Sequence, residues 1–160
     1  MLAILNEEAE PGMELILWRH ADAEDGAPDA ERRLTGKGVR QAEQMAKWLK
    51  ERLPRETVVL ASPARRAQET AQALTPKYEI RSELDTGRPP RSVLKAVAWP
   101  RGERTVVVVG HQPTLGEIAA LLLTGSALAL SVRKGAIWWV ARRPRDETTV
   151  LRAVISPDLL

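Results

Sequence analysis

The chain opens its legible pattern with Leu15-Ile16-Leu17-Trp18, four apolar residues that stop abruptly at Arg19-His20. A run of this length reads as a buried strand. Residues 21–31, rich in Asp, Glu, Ala, Gly and Pro, read as a surface loop over the end of that strand. From Leu34-Thr35 the spacing becomes helical, with Thr35 as N-cap and Val39, Ala42, Ala46, Leu49 and Leu53 recurring on one face up to Pro54. Residues 57–61 are short and β-branched, which predicts a second strand. Ser62-Pro63 follows as N-cap and first residue of a helix to Leu74, with Ala64, Ala67, Ala71 and Leu74 on one side and Arg66 and Thr70 four apart on another. Val106-Val107-Val108-Val109-Gly110 is a third strand and ends at His111. Gln112-Pro113-Thr114 then starts an apolar helix that Gly125 stops, and residues 136–141 and 148–155 read as two strands of an edge hairpin joined through Arg143-Pro144-Arg145-Asp146. Residues 75–104 carry the weakest pattern. Tyr78-Glu79-Ile80 predicts a short edge strand there, and residues 92–98 a helix.

Strands alternating with helices and closed by a hairpin imply a three-layer α/β/α fold with a mostly parallel mixed sheet. At 160 residues the chain fits one domain, expected over residues 13–160 behind a loose N-terminal tail at residues 1–12 that contains Glu7, Glu8 and Glu10. The start lacks the basic, long apolar pattern of a signal peptide, and no stretch approaches the roughly 20 apolar residues of a membrane helix. A soluble, cytoplasmic protein is expected.

Charge and cysteine content narrow the chemistry. The net charge of +3 and a pI of about 9.6 favour an anionic ligand, without interleaved basic and aromatic residues that would point to nucleic acid. With no cysteine there is no disulfide, thiolate ligand or thiol nucleophile. No metal site and no cofactor are expected, because two histidines would need a carboxylate drawn from an unmarked position. Trp18, Trp138 and Trp139 read as packing residues.

The only two histidines, His20 and His111, both end strands. In open α/β sheets the crevice at the carboxyl ends of the strands is where ligands bind. If the strands ending at His20, Ser62 and His111 are parallel neighbours, both histidines, Arg19 and an arginine from the first turn of the following helix, Arg65 or Arg66, converge there. Arginine offers a planar donor fork to phosphate oxygens, and a neutral imidazole is a nitrogen nucleophile near pH 7. Phosphoryl transfer asks for that combination of cations and an in-line nucleophile.

Four stretches in order, Leu15-Ile16-Leu17-Trp18-Arg19-His20-Ala21, Leu34-Thr35-Gly36-Lys37-Gly38-Val39-Arg40-Gln41-Ala42, Ser62-Pro63-Ala64-Arg65-Arg66-Ala67-Gln68-Glu69-Thr70 and Val109-Gly110-His111-Gln112-Pro113, resemble the histidine phosphatase superfamily, which includes the cofactor-dependent phosphoglycerate mutases. Lys134-Gly135-Ala136 and Ser156-Pro157 look like its short SixA-type phosphohistidine phosphatases. The resemblance implies a phosphoglycerate mutase-like fold and a metal-independent phosphatase. It implies His20 as the nucleophile that forms a phosphohistidine, Arg19 and Arg66 as phosphate holders, and His111 as the residue completing the pocket. Arg66 is chosen over Arg65 by the family's register alone, and Arg32 matches an arginine of the short branch with no role assigned.

The chain departs from the family pattern in two places. Ala21 stands where glycine usually follows the nucleophile, and only 45 positions separate Arg66 from His111, too few for the large lid subdomain that carries a general acid in longer members. Glu83 and Asp85 are the nearest acidic candidates. A phosphoramidate has a readily protonated leaving group, so the expected substrate is phosphohistidine on a phosphotransfer or signalling protein. A phosphatase of small phosphomonoesters and a non-catalytic phosphate- or phosphoprotein-binding module are the alternatives. A short chain without a lid is also expected to leave an open pocket.

Overall fold

The computed structural model describes residues 12–102 and 104–160. The tail expected at residues 1–12 lies outside the described residues up to position 11. Six strands form one sheet in the order β3-β2-β4-β1-β5-β6: β1 (Met13–Arg19), β2 (Val58–Ala61), β3 (Glu79–Ile80), β4 (Thr105–Gly110), β5 (Ile137–Arg142) and β6 (Thr149–Ile155). The four strands from β3 to β1 run parallel, and β5 and β6 complete the sheet antiparallel.

Alternation along β1 builds the two faces. Leu15 and Leu17 point to one side, where they pack with Val106, Val108, Leu115 and Ile118; Ile16 and Trp18 point to the other, with Met45, Leu49, Ala67 and Ala71. Helices α1 (Gly36–Lys50) and α2 (Arg65–Leu74) therefore cover one face, and α3 (Pro90–Ala96) and α4 (Thr114–Thr124) the other. Both sides of β1 and β4 are covered, which is why these strands read as continuous apolar runs.

Local chemistry explains the ends of the elements and the places where they differ from expectation. Thr35 caps α1, its hydroxyl accepting the Gly38 N–H, and Gly125 ends α4 at φ 80°. The buried stripe of α1 is Gly38, Ala42, Met45, Ala46 and Leu49, while Val39 is exposed. Gly38 is required where it stands, because a Cβ there would lie 1.9 Å from the Asp22 carbonyl oxygen. Helix α2 starts at Arg65 with Ala64 as its N-cap, not at Pro63 behind Ser62; the Ser62 hydroxyl is engaged elsewhere. Helix α3 begins at Pro90, two residues before the expected start, since the fixed φ of proline suits a first turn.

Among the described residues between α2 and β4 stand only β3, a single 3-10 turn at Ser82–Leu84 and the seven-residue α3, and no large lid subdomain is evident. Among the described residues no helix is long and apolar enough to cross a membrane.

Candidate active site

The parallel register carries three chain ends to one sheet edge. Arg19 pairs with Gly110 across β1 and β4, and Ala61 with Val109 across β2 and β4. The next residues keep the ladder: the His20 N–H donates to the Gly110 carbonyl at 3.1 Å and the Ser62 N–H to the Val109 carbonyl at 3.0 Å. His20, Ser62 and His111 are thereby neighbours, and the two imidazole rings lie 5.2 Å apart, centroid to centroid.

Hydrogen-bond bookkeeping assigns the protons. His20 Nδ1 lies 2.8 Å from the Ala21 carbonyl, which can only accept, so Nδ1 carries the hydrogen and Nε2 keeps its lone pair. The Ser62 hydroxyl, fully buried, accepts from the Ala64 N–H at 3.2 Å, and its own hydrogen finds His111 Nε2 at 2.7 Å. With the Ser62 hydroxyl as donor in that contact, the hydrogen of His111 is on Nδ1, a buried atom with no partner. Ser62 was legible as a helix cap because Ser-Pro is a local signal; its second partner, His111, lies 49 residues away.

The arginines separate by burial. Arg66 is 3% exposed, and its guanidinium donates to the main-chain carbonyl and the carboxylate of Asp29; Arg65 is exposed and pairs with Glu69 one turn on. Arg19 is half-buried and donates through Nη1 to the Val132 carbonyl at 2.8 Å. The Nε atoms of Arg19 and Arg66 are, like His111 Nδ1, buried without a partner. A buried unanswered donor costs about 1–3 kcal/mol, and two such guanidinium nitrogens beside two imidazoles make this edge a candidate site for an anion.

The surrounding frame is tied to the strand that ends at His20. Thr70 accepts the Ala21 N–H at 3.1 Å and donates to the Arg66 carbonyl at 2.8 Å, which locks α2 to the residue after His20. The Gly135 N–H donates to both the Arg19 and His20 carbonyls, and the Gly135 carbonyl accepts from the Trp18 indole. Gly135 sits at φ 75° against Pro157, so both short motifs near the C-terminus gather behind His20.

Both site histidines are buried, His20 at 7% and His111 at 4% exposure, and a 3-10 turn, Asp29–Glu31, reaches Arg66 through Asp29. Glu83 is held by Arg81 at 2.9 Å, and that hydrogen bond pulls its carboxyl down to about 2, the wrong direction for a proton donor. Asp85 accepts from the Thr86 N–H, which fixes it to its own loop. The sequence did not single out Asp29, Ser62 or the 132–135 loop as site residues, since each acts through a contact distant in the chain.

Burial, reinforced by the neighbouring arginines, pushes His20 down to about 4, and burial with the charge of His20 pushes His111 down to about 3. Both rings are neutral in the folded protein at pH 5, whereas in the unfolded chain, at about 6.5, they bind protons. Stability should therefore decline as pH falls from 6.5 towards 4, with each histidine adding up to about 1.4 kcal/mol per pH unit. Carboxylates held low, such as Asp22, are lost only below that window. Urea melts at pH 7 and pH 4.5 check this, and a replacement of His111 by glutamine should shrink the difference.

Residues 15–87 match the family model described as the histidine phosphatase superfamily, branch 1; His111 lies beyond that segment. The chain is 35% identical over 126 residues to the phosphohistidine phosphatase SixA homolog of Haemophilus influenzae, covering 69% of this chain and 77% of that protein. It is 33% identical over 124 residues to phosphohistidine phosphatase SixA of Escherichia coli, covering 71% and 76%. A solved structure of the protein histidine phosphatase SixA complexed with tungstate superposes with a TM-score of 0.75 at 28% identity, covering 92% of this chain and 99% of that one. With fold, strand-end histidines and about three-quarters of two curated relatives aligned, the chain belongs to the histidine phosphatase superfamily, is SixA-like, and is a phosphatase.

Proposed function

We propose that residues 13–160 act as one phosphatase domain that removes the phosphoryl group from phosphohistidine on a phosphotransfer or signalling protein, with His20 as nucleophile. His20 Nε2 forms an N–P bond as the N–P bond of the substrate breaks. The departing imidazole is protonated from solvent. Arg19, Arg66 and the Nδ1–H of His111 take the equatorial oxygens, where fixed donors in a buried site stabilise developing charge. Water then attacks the phosphorus, inorganic phosphate leaves, and the His20 imidazole is restored.

The observation that carries this reading is the brevity of the segment between α2 and β4, with the two candidate acids, Glu83 and Asp85, committed to Arg81 and to a loop amide. An alkoxide leaving group needs a proton donor held in the site, whereas an imidazole is basic enough to take its proton from solvent. The names of the SixA relatives fit the same substrate class.

Turnover of a phosphohistidine-bearing phosphotransfer domain is to be compared with turnover of phosphoserine and p-nitrophenyl phosphate. The domain should be preferred in kcat/KM by about 10²-fold, the scale at which a missing general acid slows departure of an alkoxide. Equal or faster cleavage of the esters would replace this reading with that of a small-molecule phosphomonoesterase.

A further inference from the structure

Arg66 and Arg19 are held in the same way. Arg19 gives Nη1 to the Val132 carbonyl and Arg66 gives Nη1 to the Asp29 carbonyl at 2.8 Å, and in both the Nε is buried and unpartnered. Arg66 differs in having a second, side-chain partner, because its Nη2 donates to Asp29 Oδ2 at 3.1 Å. Asp29 Oδ1 in turn accepts from Arg32 Nε at 3.0 Å, and Arg32 is anchored through Nη1 to the Glu24 carbonyl. One carboxylate thus bridges two guanidiniums. Although partial burial works against it, the hydrogen bonds and charges of Arg66 and Arg32 keep the Asp29 carboxyl below the ordinary aspartate range.

A guanidinium has five N–H groups, arranged so that two adjacent nitrogens can meet two oxygens of one phosphate. We infer that Asp29 is a positioning residue for Arg66: by occupying the Nη1–Nη2 side of the guanidinium it leaves Nε and the second Nη2 hydrogen as the fork for the transferring phosphoryl group. The inference rests on the proposal that Arg66 binds that group. Its particular content is that a residue on an exposed turn sets the aim of a buried cation. The Asp29 side chain is 61% exposed and the turn Asp29–Glu31 buries no residue, so the position can be altered without opening the core.

The opposite role, a carboxylate competing with phosphate for the same guanidinium, predicts the opposite sign. Asp29→Asn keeps the main-chain carbonyl and the side-chain shape and removes the charge. It should raise KM for a phosphohistidine-bearing domain and the dissociation constant of inorganic phosphate, read by calorimetry, each about tenfold, while kcat changes less than about threefold, the pattern of lost uniform binding. In an Arg66→Ala background Asp29→Asn should change phosphate affinity by less than about twofold, since groups acting through one partner are not additive. Unchanged or tighter phosphate binding in Asp29→Asn, or a full effect in the absence of Arg66, overturns the inference. If the wild type binds phosphate no better than Arg66→Ala, the assignment of Arg66 itself fails, and the two failures are told apart. A melting curve for each variant confirms that the fold is retained.

Discussion

Replacing His20 with alanine should abolish turnover, lowering kcat by at least about 10⁴-fold, the scale at which loss of a covalent nucleophile is felt. The geometry makes the expectation specific. The hydrogen on His20 Nδ1 is fixed by the Ala21 carbonyl, so a single nitrogen, Nε2, is left to attack. Burial holds the ring neutral, so it is ready over the whole neutral range without a separate base. Brief reaction with a labelled phosphodonor should leave acid-labile, base-stable label on the wild type and none on His20→Ala. Label that persists in His20→Ala and disappears in His111→Ala would move the nucleophile to the other strand end. The fold survives the substitution, because the His20 contribution to the sheet is its amide, which alanine retains.

Arg66→Ala and Arg65→Ala should differ as sharply as two adjacent arginines can. Arg66 is the buried cation at the site, and removing a preorganised donor of this kind costs about 10²–10³-fold in kcat/KM. Arg66→Lys should recover little, since an ammonium offers a point charge in place of a planar fork. Arg65 is exposed and engaged in an i,i+4 pair with Glu69, an interaction worth about 0.3–0.5 kcal/mol of stability. Arg65→Ala should therefore keep activity within about twofold. If the losses were exchanged, the phosphate-binding arginine would be the surface one, and the buried one would be structural.

Much of this was readable from the chain because the signals are local. The apolar runs of β1 and β4 announce strands buried on both faces, and each ends at a histidine, so the sheet edge and its chemistry come from the same few residues. The choice of Arg66 rested on register in the sequence, and burial in the structure separates it from Arg65 in the same direction. What escaped depends on distant partners. Ser62 carries a cap signature and its hydroxyl oxygen does accept the Ala64 N–H, but its second contact, with a buried imidazole 49 residues away, has no local signal. Asp29 lies in a loop whose composition says only that it is exposed, and nothing nearby indicates that its carbonyl and carboxylate meet a guanidinium 37 residues on. Among the described residues, 75–104 form a two-residue strand, one 3-10 turn and the seven-residue α3, too short for a clear period to build up.

The Gly135 amide that serves both the Arg19 and His20 carbonyls, together with the His20 amide on Gly110, makes the backbone of the proposed nucleophile a continuation of the central sheet. Amides of this kind are released to solvent only in the most cooperative openings of a protein. The reactive imidazole thus has no private unfolding route. On heating or in denaturant it should survive as long as the central strands do, so that the catalytic lifetime of the enzyme and the kinetic lifetime of its fold are one quantity.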